Sequence, residues 1–485
     1  MEHDNLIACH ECDALFRKPR LVGRTVARCP RCGATLYRGV SRKLDAISAI
    51  TLAALITFLI AQGFPIVELE TNGITSQTTL FGALIALWNE DMQIVAVMVF
   101  CSTVLFPLTE LVALLYVLVP LRAGYVPVAF NRVLRAIQFV RPWGMIEVFM
   151  LGVLITIVKM VSIARVIPEA ALFAFGTLTL MFAVVVTFDP RVLWDLADEL
   201  ADGSQRPLPR TSADSAAAAL NAQAGPPAPA DLQTPAPTVP TPDVQSTAHP
   251  TLPPACTRRN PRRVRDEPTM KYVTAKRAGL VSCHACGRVE PRIRSVTPQH
   301  CGRCGAHLHS RHPDSLMRTW ALLIAAALLY IPANLLPVMH TSSLLGSEDD
   351  TIMSGVVYFW TSGDWPLAVI VFVASIMVPM LKLSVLVLLT VTAQRRSRWR
   401  PEQRITLYRM VERIGRWSML DVFVVTLTVA LVRFKSLAVI TAGPGAIAFG
   451  SVVILTMMAS MQFDPRLIWD PVDGNTQKPQ DLDHD

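Results

Sequence analysis

Apolar residues in this chain gather in eight blocks, at 44–65, 94–119, 144–167, 170–188, 317–338, 366–392, 418–440 and 444–463. A hydrocarbon core about 30 Å thick takes roughly 20 helical residues to cross, so the pattern predicts eight transmembrane helices. The polar stretches between them alternate in sign. Segment 122–141 holds Arg122, Arg132, Arg135 and Arg141, and 395–416 holds eight arginines. Stretches 66–93 and 339–365 contain no Lys or Arg, only Glu68, Glu70, Glu90, Asp91, Glu348, Asp349, Asp350 and Asp364. Basic loops stay on the cytoplasmic side, which places both termini there. The N-terminus opens on a cysteine motif and basic residues, so no cleavable signal peptide is expected.

Composition agrees with the pattern. The chain is 52% hydrophobic, 7% aromatic and 17% charged, with mean hydropathy +0.40, too apolar for a soluble domain of this length. The net charge of +8 does not point to nucleic acid, because the cations sit at the ends of apolar blocks.

The second half repeats the first. FDPRVLWD at 188–195 returns as FDPRLIWD at 463–470, and Pro107, Trp143, Glu147 and Phe149 align with Pro379, Trp417, Asp421 and Phe423. Each half has an even number of spans, so the repeats run parallel about an axis along the membrane normal. The octapeptide reads as a helix exit: Pro190 and Pro465 stop a helix, the preceding Asp closes a turn, and Arg191 and Arg466 put positive charge at the cytoplasmic end. Trp194 and Trp469 are expected at headgroup depth. Between the halves, 203–268 is rich in Pro and Ala and predicts a disordered cytoplasmic tether.

The expected fold is thus an all-α polytopic membrane protein, a duplicated unit of a small tetracysteine ribbon and four helices. Its parts are ribbon 1 at 1–40, a membrane unit at 41–200, the tether at 201–270, ribbon 2 at 271–312, a second membrane unit at 313–471 and a polar tail at 472–485.

Cys9 and Cys12 pair with Cys29 and Cys32, and Cys283 and Cys286 with Cys301 and Cys304. Each CxxC puts two thiolates on one tight knuckle, and two knuckles supply the four-sulfur shell that zinc prefers. Gly33, Gly287 and Gly305 each follow a knuckle, where the backbone must turn. Two structural zinc ions are expected; iron and thiol redox chemistry are the other readings of the same spacing. Four sulfurs leave no open position for catalysis.

Ionisable residues inside apolar spans are costly and point to function. Lys382 and Asp421 have opposite sign and lie in the second and third spans of the second half. Ser375 and Ser418 fall near them by helical spacing, Thr456 completes the cluster from about two turns before the cytoplasmic end of the fourth span, and Pro379 frees a backbone carbonyl on the Ser375 face. In the first half Glu110 takes the Lys382 position and Glu147 the Asp421 position. Two acids need a proton or a cation; Lys159 is available but lies twelve residues from Glu147, on a different face. The second half is therefore expected to be the working one. No P-loop and no nucleophile or HExxH motif is present, so neither an ATP-driven pump nor an enzyme is expected.

A tetracysteine ribbon plus four spans, twice over and each closing in FDPR-x-x-WD, resembles the paraquat-inducible protein A family of Gram-negative inner-membrane proteins. The resemblance covers the chain except the tether. It implies rubredoxin-like zinc ribbons, tetraspanin-like bundles, and a periplasmic partner built of stacked MCE rings that carries phospholipid between inner and outer membranes. It also implies that Ser375, Lys382, Ser418, Asp421 and Thr456 line a lipid cleft or a proton path. The other reading is a membrane-anchored cytoplasmic zinc or redox sensor, which has no need of intramembrane charge.

Overall fold

In the computed structural model the described residues are 5–18, 25–38, 44–71, 74–89, 92–160, 165–205, 272–293, 298–343, 346–363, 365–415, 419, 422–424, 433–434 and 438–473. Most of them are helical. Among them, six runs are long and apolar enough to cross a membrane: Leu44–Gly63, Gln93–Arg122, Phe130–Val158, Ser315–Leu335, Ala368–Gln394 and Pro444–Gln462. Ala170–Val186 makes a seventh if its 57° bend into Arg191–Ala201 is counted within one span. The expected span at 418–440 falls mainly outside the described residues, as do the tether beyond Gln205 and the tail beyond Asp473.

The halves repeat one order of elements. In each, the first and last apolar helices lie side by side, Leu44–Gly63 against Ala170–Val186 and Ser315–Leu335 against Pro444–Gln462. The second helix of each half carries one π-helical turn, Cys101–Leu105 and Val373–Met377, two residues ahead of Pro107 and Pro379. In both, the residue before the proline donates its N–H five residues back, Phe106 to Cys101 and Val378 to Val373. The next N–H in that register belongs to proline, which has none. The carbonyl left over in the first half, that of Ser102, accepts from the Met145 N–H at 3.4 Å.

The expectation of helices alone needs correcting at the end of the molecule away from the cysteine ribbons. There the acidic loops fold into two antiparallel sheets. Val67–Thr71 pairs with Ile74–Thr78 and with Arg165–Pro168. Met339–Ser343 pairs with Gly346–Asp350 and with Ala438–Ala442, which also pairs with Arg433–Phe434. The block read as one span at 144–167 is therefore a helix, Ile146–Met160, followed by the strand Arg165–Pro168. After each hairpin comes a ten-residue apolar helix, Leu80–Asn89 or Ile352–Thr361. At about 15 Å such a helix is too short to span. Their exposed Trp88 and Trp360 are of the type that anchors at a membrane interface.

The halves share one apolar core. The Phe149 ring lies 5.2 Å from Phe175 in its own half and 5.6 Å from Phe423 in the other. Gly450 lets the halves approach: a Cβ there would stand 3.0 Å from the Met98 methyl. Both FDPR motifs form the expected turn, with Asp189 accepting from the Arg191 N–H and Asp464 from the Arg466 N–H, each at 3.0 Å.

Candidate functional site

Each ribbon is a pair of hairpins whose knuckles share one hydrogen-bond pattern. The first Cys N–H donates five residues ahead (Cys9 to Ala14, Cys29 to Ala34, Cys283 to Arg288, Cys301 to Ala306), and its carbonyl accepts from the residue after the second Cys. That residue must take a positive φ, and Gly33, Gly287 and Gly305 do so at 78°, 78° and 68°. The first knuckle uses Asp13 instead, at φ 61°, a conformation that Asp tolerates better than most side chains. The four Sγ atoms of Cys9, Cys12, Cys29 and Cys32 lie within 4.8 Å of one another, as do those of Cys283, Cys286, Cys301 and Cys304. Either group could hold a metal ion.

The ribbons dock crosswise. Ribbon 1 shares an apolar core with the second membrane unit, including Leu386, Leu389, Ile405 and Val411. Ribbon 2 does the same with the first, including Leu118, Leu134, Ile137 and Leu193. Several polar contacts follow the same crossing, while Lys18 with Asp195 and Arg311 with Asp470 join each ribbon to its own half. Arg409 clamps Glu11 and donates to the Cys32 carbonyl at 2.7 Å. Arg31 pairs with Asp473 at 2.6 Å. On the other side Gln138 donates to the Ala285 carbonyl and Asn131 to that of Arg303.

The repeated octapeptide is the receptor in this exchange. Arg191 donates to the carbonyl of His284, and Arg466 to that of His10, each at 3.2 Å. His284 and His10 hold the same place, directly after the first cysteine of a ribbon. Trp194 and Trp469, expected at headgroup depth, are instead buried beneath the ribbons. The Trp194 indole N–H donates to Asn131 at 2.8 Å, and the Arg31 guanidinium stacks 4.4 Å over Trp469. Burial in these docking cores removes more indole surface from water than a place at the interface would.

The ribbons also join each other. Leu15 and Ala275 exchange backbone hydrogen bonds with Val273 and Asp13, and Arg311 bridges Asp13 to Asp470. Burial works against ionised Asp470, but Arg311 and Lys276 outweigh it and hold the carboxyl below its ordinary value.

Within the bundle, Lys382 is 1% exposed. Its ammonium donates to Thr456 Oγ1 at 3.0 Å and approaches the Gly415 carbonyl at 3.5 Å. Among the described residues these partners are neutral. Ser375, in the π turn seven residues earlier, bonds within its own helix to the Val371 carbonyl at 2.7 Å. Ser418 and Asp421 lie outside the described residues.

In the first half Glu110 is 2% exposed. The cation beside it is Arg141, 3.4 Å away. By the alignment of Trp143 with Trp417, Arg141 corresponds to Gly415. The two sites are thus counterparts with their charge distributed differently: an acid faced by an arginine, and a lysine faced by a glycine. Glu147 is exposed at the start of its helix, apart from this pair. Nothing local in the sequence singles out Arg141 as the partner of Glu110.

No solved structure matches the chain. It is 31% identical to the Intermembrane transport protein PqiA of Escherichia coli strain K12, over 96% of this chain and 95% of that protein. It is 28% identical to the Lipophilic envelope-spanning tunnel protein A of the same strain, over 95% and 90%. It is 26% identical to a Probable intermembrane transport protein of Haemophilus influenzae, over 96% and 95%. The family profile described as Paraquat-inducible protein A matches residues 44–198 and 316–473, one stretch in each half. With two tetracysteine clusters, repeated apolar bundles and this profile across both halves, the chain is a multi-pass membrane protein that belongs to the paraquat-inducible protein A family.

Proposed function

We propose that the protein is the inner-membrane component of an MCE-type system that moves phospholipid between the inner and outer membranes, with no ATP hydrolysis of its own. The observation that carries this reading is Lys382, an amine sealed in an apolar bundle against a hydroxyl and a backbone carbonyl. A group so costly to bury serves no purpose in a simple anchor. The names of the relatives, an intermembrane transport protein and an envelope-spanning tunnel protein, support transport across the envelope. In this reading the chain crosses the inner membrane eight times with both termini and both ribbons in the cytoplasm, an orientation that the arginine asymmetry supports. The sheets built from the acidic loops then face the periplasm, where an MCE-ring partner would dock.

Each ribbon holds one structural zinc. Sulfurs about 2.3 Å from zinc in a tetrahedron lie about 3.8 Å apart, and the closest pairs here are 3.5 and 3.6 Å. Four thiolates close the coordination shell, so the metal supplies folding energy and no reacting position. Seven of the eight ligands are buried and the eighth, Cys32, is partly so, which disfavours a redox sensor. Elemental analysis of the purified chain is expected to give about two zinc per molecule, and iron in their place would reassign the ribbons.

Purification from cross-linked membranes tests the function. An MCE-ring protein is the expected companion. Recovery of a cytoplasmic protein bound through the ribbons, with no MCE-ring protein present, would favour the sensor.

A further inference from the structure

Ribbon 2 carries three histidines that neither its tetracysteine cluster nor its docking core uses. His300 and His307 are antiparallel bridge partners. The hydrogen bonds on either side of them, Cys301 N–H to the Ala306 carbonyl and Leu308 N–H to the Gln299 carbonyl, are each 2.8 Å. They make His300 and His307 a non-hydrogen-bonded pair, the type in which opposed side chains stand closest. Their ring centroids are 4.3 Å apart. His309 lies two residues after His307, with buried Leu308 between them, and so shares its face by the period of an extended chain. The His309 ring stacks 6.2 Å from that of His307, at 19°. All three residues are exposed, and among the described residues no carboxylate pairs with them.

The ribbon fold does not account for these residues. In ribbon 1 the same positions, counted from Cys29 as from Cys301, hold Arg28, Thr35 and Tyr37, and Arg28 pairs with Thr35 in the same register. The strand pair therefore forms with or without imidazoles. Docking does not use them either, because ribbon 2 meets the membrane unit through the carbonyls of Ala285, Arg303 and Gly305.

We propose that His300, His307 and His309 form a second metal site on ribbon 2, which takes a divalent first-row transition ion of the imidazole-binding class, such as zinc, nickel or copper. Imidazole nitrogen suits these ions, whereas magnesium and calcium take oxygen. Two such nitrogens on a tetrahedral ion stand about 3.4 Å apart, given bonds of about 2.0–2.1 Å. His300 and His307 reach that spacing by turning about χ2, a torsion with broad wells. His309 joins the same ion from the next outward position on its strand. Three ligands leave coordination positions open to water, so this ion exchanges where a closed four-sulfur shell holds its own. Once bound, it clips together the two chain segments on either side of the Cys301–Cys304 knuckle.

The test is calorimetric titration of the purified full chain, in micelles and with any affinity tag free of histidine, with nickel chloride. Nickel is counted apart from the ribbon metal by elemental analysis. One nickel per chain is expected, with the ribbon metal retained. His307→Thr, which installs the ribbon 1 residue and removes the ring that both others touch, weakens binding at least about tenfold, because losing a ligand costs no less than losing an outer-shell partner. His309→Ala weakens it less, and His312→Ala, outside the trio, leaves it unchanged. Nickel also slows hydrogen exchange at the Cys301 and Leu308 amides, and fails to do so in the double variant His300→Arg with His307→Thr. Three results overturn the proposal: no saturable nickel binding by the wild type, equal affinity in a His307→Thr protein of normal thermal midpoint, or release of one ribbon metal for each nickel bound, which would place the nickel among the cysteines.

Discussion

Replacing Lys382 with Met leaves the protein in the membrane at near-normal level and reduces its lipid transport at least about tenfold, the effect of removing a charged group that the process itself uses. Lys382 is 1% exposed and held by Thr456 and the Gly415 carbonyl. A structural role gives a different pattern. If Lys382 and Asp421 only hold helices together, either single replacement strands a charge, at a cost of about 3–5 kcal/mol, and the double neutral variant recovers much of the activity. If Lys382 grips a headgroup or carries a proton, the double variant Lys382→Met with Asp421→Asn stays inserted and inactive. Thr456→Val, which takes away one acceptor, is expected to weaken transport by an intermediate amount through an unmet hydrogen bond of about 1–3 kcal/mol. Glu110→Gln is expected to be milder than Lys382→Met. An outcome with Glu110 essential and Lys382 dispensable would reverse the assignment of the working half.

Loss of metal from one ribbon is expected to loosen the membrane unit of the other half. A structural zinc contributes about 10–16 kcal/mol to a small ribbon, and ribbon 1 rests on the helix Pro401–Ile414 through Arg409, Glu11 and the Cys32 carbonyl. In Cys12→Ser, hydrogen exchange should therefore rise first along Pro401–Ile414 and the turn at Pro465–Ile468, with Phe130–Val140 still protected. Cys286→Ser should give the reverse, because ribbon 2 is held by Asn131, Gln138 and Arg191. Exposure of the membrane unit in the same half as the altered ribbon would contradict the crosswise docking.

What the sequence revealed and what it hid divide by range. The CxxC spacing is local, so the tetracysteine clusters followed directly from it. The apolar blocks are local too, and six of them emerge as helices long enough to span. The hairpin at Val67–Thr78 also had a local signal that the charge pattern overshadowed: Asn72 and Gly73 separate the paired Thr71 and Ile74, the strongest two-residue turn signature.

Crosswise docking had no such signal. Both ribbons carry two CxxC pairs and both membrane units share one order of elements, so the local pattern does not say which ribbon meets which unit, and contacts hundreds of residues apart decide, such as Arg31 with Asp473. The partner of Glu110 was hidden by a shorter distance of the same kind. Arg141 lies 31 residues on, past a loop and a short helix, and reads as one more cytoplasmic arginine until the fold brings it to 3.4 Å. The π turns were half legible: Pro107 and Pro379 announce a broken ladder, but not that it slips by one residue ahead of them.

The most direct test of the central claim is the phospholipid load of the periplasmic partner. The full chain is reconstituted into liposomes of labelled phospholipid, the purified MCE-ring protein is added outside, and the label it carries after separation is counted. Transport by this chain predicts label about tenfold above protein-free liposomes, falling to that background with Lys382→Met. The same label with and without the chain would contradict the claim.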